Sequence, residues 1–149
     1  MRLWIAGIVG LLVIGGSALA QGVAPIGGPF QVNAYTTKQQ QQPQVAKDDQ
    51  GDFVVVWRSI GGYGTDLAGW SIQARRFEAN GQPKDVDFQV NSYTTSSQEN
   101  PTVATDDLGN FVVAWEHNTE IDIDIFVMIV RTFDVNGVAY GNAIRASVE

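Results

Sequence analysis

The chain predicts an all-β fold built from two tandem four-stranded antiparallel repeats, either propeller-blade-like or packed as a β-sandwich. Three observations predict it. A short Val-rich run ended by Trp occurs twice, at residues 53–57 (FVVVW) and 111–115 (FVVAW), each behind an Asp/Gly turn. A run so short and so apolar reads as a strand buried on both faces. Residues 30–57 match residues 88–115 at 18 of 28 positions, with an offset of 58 residues, which marks an internal duplication. Finally, no window beyond the N-terminal segment carries a 3.6-residue apolar period, so helices are not expected.

The first 20 of the 149 residues read as a signal peptide. Arg2 supplies the positive start, residues 3–14 are apolar apart from glycines, and residues 17–20 (SALA) give the small-x-small cleavage pattern before Gln21. The apolar run is a dozen residues, shorter than the roughly 20 that span a bilayer, so no membrane span is expected after cleavage. The chain has no cysteine, which removes both a lipid anchor at the cleavage site and any disulfide. An exported domain of this kind must hold itself by packing, metal or oligomerisation.

Residues 21–29 form a Gly/Pro-rich leader that should be irregular. The β-repeat domain covers 30–149, with repeat one at 30–87, repeat two at 88–143 and the stub of a third at 144–149. Within each repeat the first strand is expected around 44–47, or 102–105 in the second copy. An Asp-x-Gly turn follows, because Gly supplies the positive φ that such turns need. The second strand is 53–57 or 111–115. A Gly-rich loop over 59–69 leads to a third strand at 70–77, or 125–133 in copy two, where the loop is two residues shorter. Asn80-Gly81 and Asn136-Gly137 are hairpin signals, and the fourth strand is placed around 87–91. Residues 30–33 read as a fourth strand with no unit in front of it. Residues 39–42, four glutamines before Pro43, read as a loop.

The formal net charge is −7, and about −8 once Arg2 is removed with the signal. That excludes a basic footprint for nucleic acid and disfavours anionic membrane surfaces. It suits cation binding or plain solubility outside the cell.

The succession F-Q-V-N-x-Y-T-T, P-x-V-A-x-D, G-[DN]-F-V-V-x-W and R-x-F-[DE]-x-N-G resembles a repeat of large secreted bacterial proteins of the haemolysin-type calcium-binding and cadherin-like kind. The resemblance covers residue 30 to about 144. It implies export, residence at the surface or in secreted material, and a propeller-like β architecture. Such relatives carry Asp-x-Asp-Gly-Asp in the turn, whereas here Gln50 and Leu108 stand at the third position. The turns also resemble, weakly, the Asp-box hairpin of sialidase blades, which is a structural turn in that family.

Five groups of residues bear on chemistry. Asp48, Asp49 and Asp52 offer oxygens to calcium, although a calcium ion takes six to eight. The alternative is that Asp48 and Asp106 cap tight turns through their own backbone. Asp122 and Asp124 alternate with isoleucines, so both carboxylates share one strand face. They fit a cation, a pair of glycosidase acids, or a solvated face that discourages edge pairing. Tyr63 and Trp70 lack counterparts in copy two and are the candidate ligand-binding patch. Trp57 and Trp115 repeat, so they are expected to fill the core. His117, the single histidine, is expected at the surface, which leaves no nitrogen–sulfur metal site and no catalytic triad.

These observations lead to an exported structural or adhesion-type binding module, not an enzyme, located in secreted material or at the cell surface. Its expected partners are a carbohydrate or surface-protein ligand or further copies of itself; calcium is the one cofactor the acidic turns suggest. The competing expectations are a carbohydrate-active hydrolase, by analogy of fold alone, and a shortened fragment of a repeat array.

Overall fold

The computed structural model describes residues 4–5, 27–118 and 126–146. The strands are β1 (Trp4–Ile5), β2 (Phe30–Gln31), β3 (Gln40–Lys47), β4 (Phe53–Ile60), β5 (Trp70–Phe77), β6 (Phe88–Gln89), β7 (Gln98–Thr105), β8 (Phe111–Asn118), β9 (Phe126–Phe133) and β10 (Ile144–Arg145). No helix occurs among the described residues, and therefore none long and apolar enough to cross a membrane. The strands form two four-stranded antiparallel sheets, β3-β4-β5-β6 (sheet one) and β7-β8-β9-β10 (sheet two), plus the short antiparallel pair β1–β2.

The duplication is reproduced in register. Phe53 pairs with Phe77 and Trp57 with Gln73; Phe111 pairs with Phe133 and Trp115 with Ile129. Phe88 opens the second sequence repeat and also, in β6, closes sheet one against β5. Ile144 and Arg145 take the same place in sheet two, paired with Val130 and Ile129. The turns are alike as well. Gly51 N–H donates to Asp48 O and Gly109 N–H to Asp106 O, and both glycines have φ near +85°, a conformation that only Gly adopts without strain.

The glutamine run is strand, not loop: Gln40 to Gln42 belong to β3. The polar character of the run and Pro43 hide this in the sequence. β3 lies at the edge of its own sheet, where Pro forfeits no ladder bond. The pairing slips between Gln41 and Gln44, and again between Glu99 and Thr102. Gln42 and Asn100 sit in these slips with φ of 54° and 51°. Both are tolerated because each side chain bonds the other strand: Gln42 Nε2 donates to Asn100 Oδ1 at 2.7 Å, and Asn100 N–H donates to Gln42 Oε1 at 3.0 Å.

The sheets stack face to face, and the stacking is head to tail. Along each strand alternate residues point to opposite faces. Each sheet therefore has a Trp face (Phe53, Val55, Trp57, Phe77 in sheet one; Phe111, Val113, Trp115, Phe133 in sheet two) and a back face. The back face of sheet one (Val54, Val56, Ile72, Ala74) packs in one core cluster with the Trp face of sheet two. The Trp face of sheet one forms a second cluster, onto which Phe30 packs together with Val32. In both Trp faces two phenylalanine rings stack, at 5.0 Å for Phe53–Phe77 and 4.8 Å for Phe111–Phe133. A third leans on them, Phe30 at 5.5 Å from Phe77 and Phe88 at 6.0 Å from Phe133.

Candidate functional site

The acidic turns are built by their own backbone. Asp48 is buried, and its Oδ1 accepts from Gln50 N–H at 2.9 Å and Asp52 N–H at 3.0 Å. Asp52 accepts from Ala79 N–H and is ion-paired to Lys84, which holds its carboxyl below the usual carboxylate range. Asp49 is exposed beside them. In the second copy Asp106 accepts from the N–H groups of Leu108 and Asn110 at 3.0 and 2.9 Å, and from Asn110 Nδ2 at 2.7 Å. Those bonds, that of the Asn110 side chain first, lower its pKa. The turn-capping alternative thus accounts for Asp48 and Asp106 by named bonds, while Asp52 is engaged by Ala79 and Lys84. Among the described residues no three His, Cys, Asp or Glu side chains gather in a way that would hold an ion. Asp122 and Asp124 lie outside the described residues.

The candidate aromatic patch is divided. Tyr63 stands exposed in the Gly-rich loop. Trp70 opens β5, and the Arg58 guanidinium lies 4.3 Å over its ring. Arg58 is itself held by Glu99 of sheet two and by Gln41, both at 2.6 Å. One face of the indole is therefore occupied by a cation fixed at the junction of the sheets, which is a packing use of the ring.

Sequence reasoning passed over a polar layer at the end of the sheets. In sheet one Asn33 Nδ2 donates to Gln40 Oε1 at 3.0 Å, and Gln40 Nε2 donates to Thr37 O. In sheet two Asn91 Nδ2 donates to Gln98 Oε1 and to Asp66 Oδ2, both at 2.7 Å, while Asn91 Oδ1 accepts from Ile72 N–H. Gln98 Nε2 lies 3.1 Å from His117 Nδ1, which accepts its N–H when the neutral ring carries its proton on Nε2, and Tyr93 packs 5.5 Å from that ring. His117 is thus half-buried and engaged, not a plain surface residue. Asp66, in the Gly-rich loop, anchors the layer from outside, and burial raises its carboxyl pKa. Burial raises Asp87 too, although Ala34 and Tyr35 N–H groups bond it and Arg75 stands 3.8 Å away. The signal for this layer was present in the sequence: Asn33/Asn91 and Gln40/Gln98 are polar residues identical in both copies, yet they sit beside strands instead of in turns.

The last feature is the back face of sheet two. Val112, Ala114, Met128 and Val130 correspond to Val54, Val56, Ile72 and Ala74. Ile72 is wholly buried, whereas Met128 is 38% exposed and Ile144, beside Val130, is 69% exposed. Phe126 and Tyr140 are exposed as well. A shallow groove on this side is lined by Ala104, Val112, Thr132 and Tyr140.

No family model matches the chain and no curated protein is similar enough to match it.

Proposed function

We propose that the protein is an exported structural or adhesion-type binding module, working outside the cytoplasm through its surfaces and not through catalysis. One observation carries the reading. The residues that the two copies share are spent on architecture: the Phe pairs and Trp on one sheet face, the Asn and Gln in the polar layer, and the Asp and Gly in the turns. A duplication kept for its packing residues supports a unit whose task is to be stacked and displayed. The N-terminal charge, apolar run and SALA site support export. The acidic net charge supports a soluble life outside the cell and a ligand that is neither nucleic acid nor an anionic membrane. The propeller-blade reading of each unit is supported by two like four-stranded sheets, the back face of the first packed against the Trp face of the second.

Expression in a bacterial host followed by fractionation and intact-mass measurement tests the export part. The expected result is a chain beginning at Gln21 in the periplasm or medium. A chain retained in the cytoplasm with Met1 in place would overturn it. Turnover of any member of a glycoside panel, lost in Asp122→Asn or Asp124→Asn, would replace the module reading by the hydrolase one.

A further inference from the structure

The back face of sheet two is an interaction surface, and the molecule contains a template for what covers it. Inside the chain, the equivalent back face of sheet one is covered by the Trp face of the following unit. We propose that a second copy of the chain docks its own Trp face, that of sheet one, onto the back face of sheet two, repeating the internal junction head to tail. This rests on the export reading, because the Trp face of sheet one is buried in the unprocessed chain and the docking requires that loss of residues 1–20 uncover it.

The internal junction can be carried across residue by residue. Phe53, Val55, Trp57 and Phe77 of the incoming copy take the places of Phe111, Val113, Trp115 and Phe133. They meet Val112, Ala114, Met128 and Val130 where the internal partners meet Val54, Val56, Ile72 and Ala74. Val45, 51% exposed on the Trp-face side, is the counterpart of Val103, which packs into the junction core. The amide exchange between Gln42 and Asn100 recurs between Asn100 of one copy and Gln42 of the next, amide to amide. The internal ion pair Arg58–Glu99 becomes Glu116 facing Gln41, a carboxylate beside an amide donor, so like charges are not brought together there.

The two ends of the chain fit the same arrangement. β2 sits on the Trp face of sheet one as Phe88 and Val90 sit on that of sheet two. Arg75 donates to Val32 O at 2.9 Å, and Arg131 donates to Val90 O at 2.8 Å. β2 therefore occupies the position of a fourth strand belonging to a preceding unit. Its free edge is taken by Trp4–Ile5, inside the predicted signal segment. Cleavage before Gln21 removes that partner and leaves β2 an unpaired edge, which strands fill by augmentation. The edge it would add to is β9, with Phe30 opposite Val130 and Gln31 opposite Ile129, a place now held by the exposed pair Ile144–Arg145. Export processing and assembly are thereby linked. Because the contact joins unlike faces, it yields a ring if the rotation closes and a filament if it does not.

The test uses the exported protein, with intact mass to fix its N-terminus and light scattering to give its solution mass. A processed chain is expected to run as a multiple of the monomer. Val45→Glu and Met128→Glu each spoil one face, at exposed positions where the fold should survive, as near-ultraviolet circular dichroism will show. Each alone is expected to be monomeric, and a mixture to form a 1:1 pair and nothing larger, since each retains the face the other lacks. A processed wild-type chain that stays monomeric overturns the docking and leaves the export reading standing. Recovery of the unprocessed chain overturns both. Self-association of either variant to the wild-type mass shows that these faces are not the contact.

Discussion

Sheet one and sheet two are the same unit in different company. Their registers agree pair for pair, their Phe rings stack alike, and their turns use the same Asp and Gly. Sheet one has both faces in a core; sheet two has its Trp face in a core and its back face in contact with solvent. The difference teaches that the unit's two faces do different work. The Trp face carries the aromatic bulk that any following unit brings to its neighbour. The back face is a plainer aliphatic surface that waits to be covered. Fully burying one such side chain is worth about 1.5–3 kcal/mol, which sheet one gains whole at Ile72 and sheet two only in part at Met128.

Truncating the tryptophans gives the largest effect and asks whether the Trp faces are equivalent. Trp57 and Trp115 are both almost wholly buried, and each changed to Ala is expected to cost about 3–5 kcal/mol in urea unfolding. If only one proved costly, the two faces would not be equivalent supports of the fold. The turns come next, because the copies differ in burial. Asp48 is buried and Asp106 exposed, with matching backbone bonds. Asp48→Ala should cost about 1–3 kcal/mol, the range for losing the acceptor of hydrogen bonds to a buried charged group, and Asp106→Ala clearly less. A greater loss at Asp106 would break the comparison.

The pH dependence separates the copies more finely. Burial raises Asp66 and Asp87 above 3.8, so the folded chain keeps their protons longer than the unfolded one. Their effect is lower stability as pH rises from about 3.8 through the folded-state values. Asp52 and Asp106 are shifted down and act oppositely: the stability they contribute is lost as pH falls below about 3.8. In Asp66→Asn the fall in urea midpoint above that pH should flatten. An unchanged slope would mean that Asp66 is not buried in the polar layer as described. Asp87 has Ala143 as its counterpart, so only the first copy carries this second acid.

The all-β class and the two four-stranded antiparallel sheets were legible in the sequence, because short Val-rich runs, Asp/Gly turns and a duplication point one way. The start of β3 was not legible: Gln40 to Gln42 and Pro43 are poor strand formers, and the strand extends over them because Gln40 and Gln41 pair with Ser59 and Arg58 before the slip. The polar layer was missed because a buried Asn or Gln looks like a loop residue until its partner, distant in sequence, is known. Tyr63 and Trp70 group as one patch in the sequence because neither has a counterpart in copy two, and the structure gives Trp70 to Arg58. The orientation of the units was also beyond the sequence, since alternation marks two faces but not which one meets which.

The central claim is that equivalent back-face positions are core in sheet one and surface in sheet two. Urea unfolding of Ile72→Glu against Met128→Glu tests it most directly. Ile72 is wholly buried, so an unpaired carboxylate there should cost more than about 4 kcal/mol or abolish folding. At Met128 the same change should leave the unfolding free energy of the single chain within about 1 kcal/mol of wild type. Equal and large losses at both positions would contradict the account, because they would place the back face of sheet two in a core of its own.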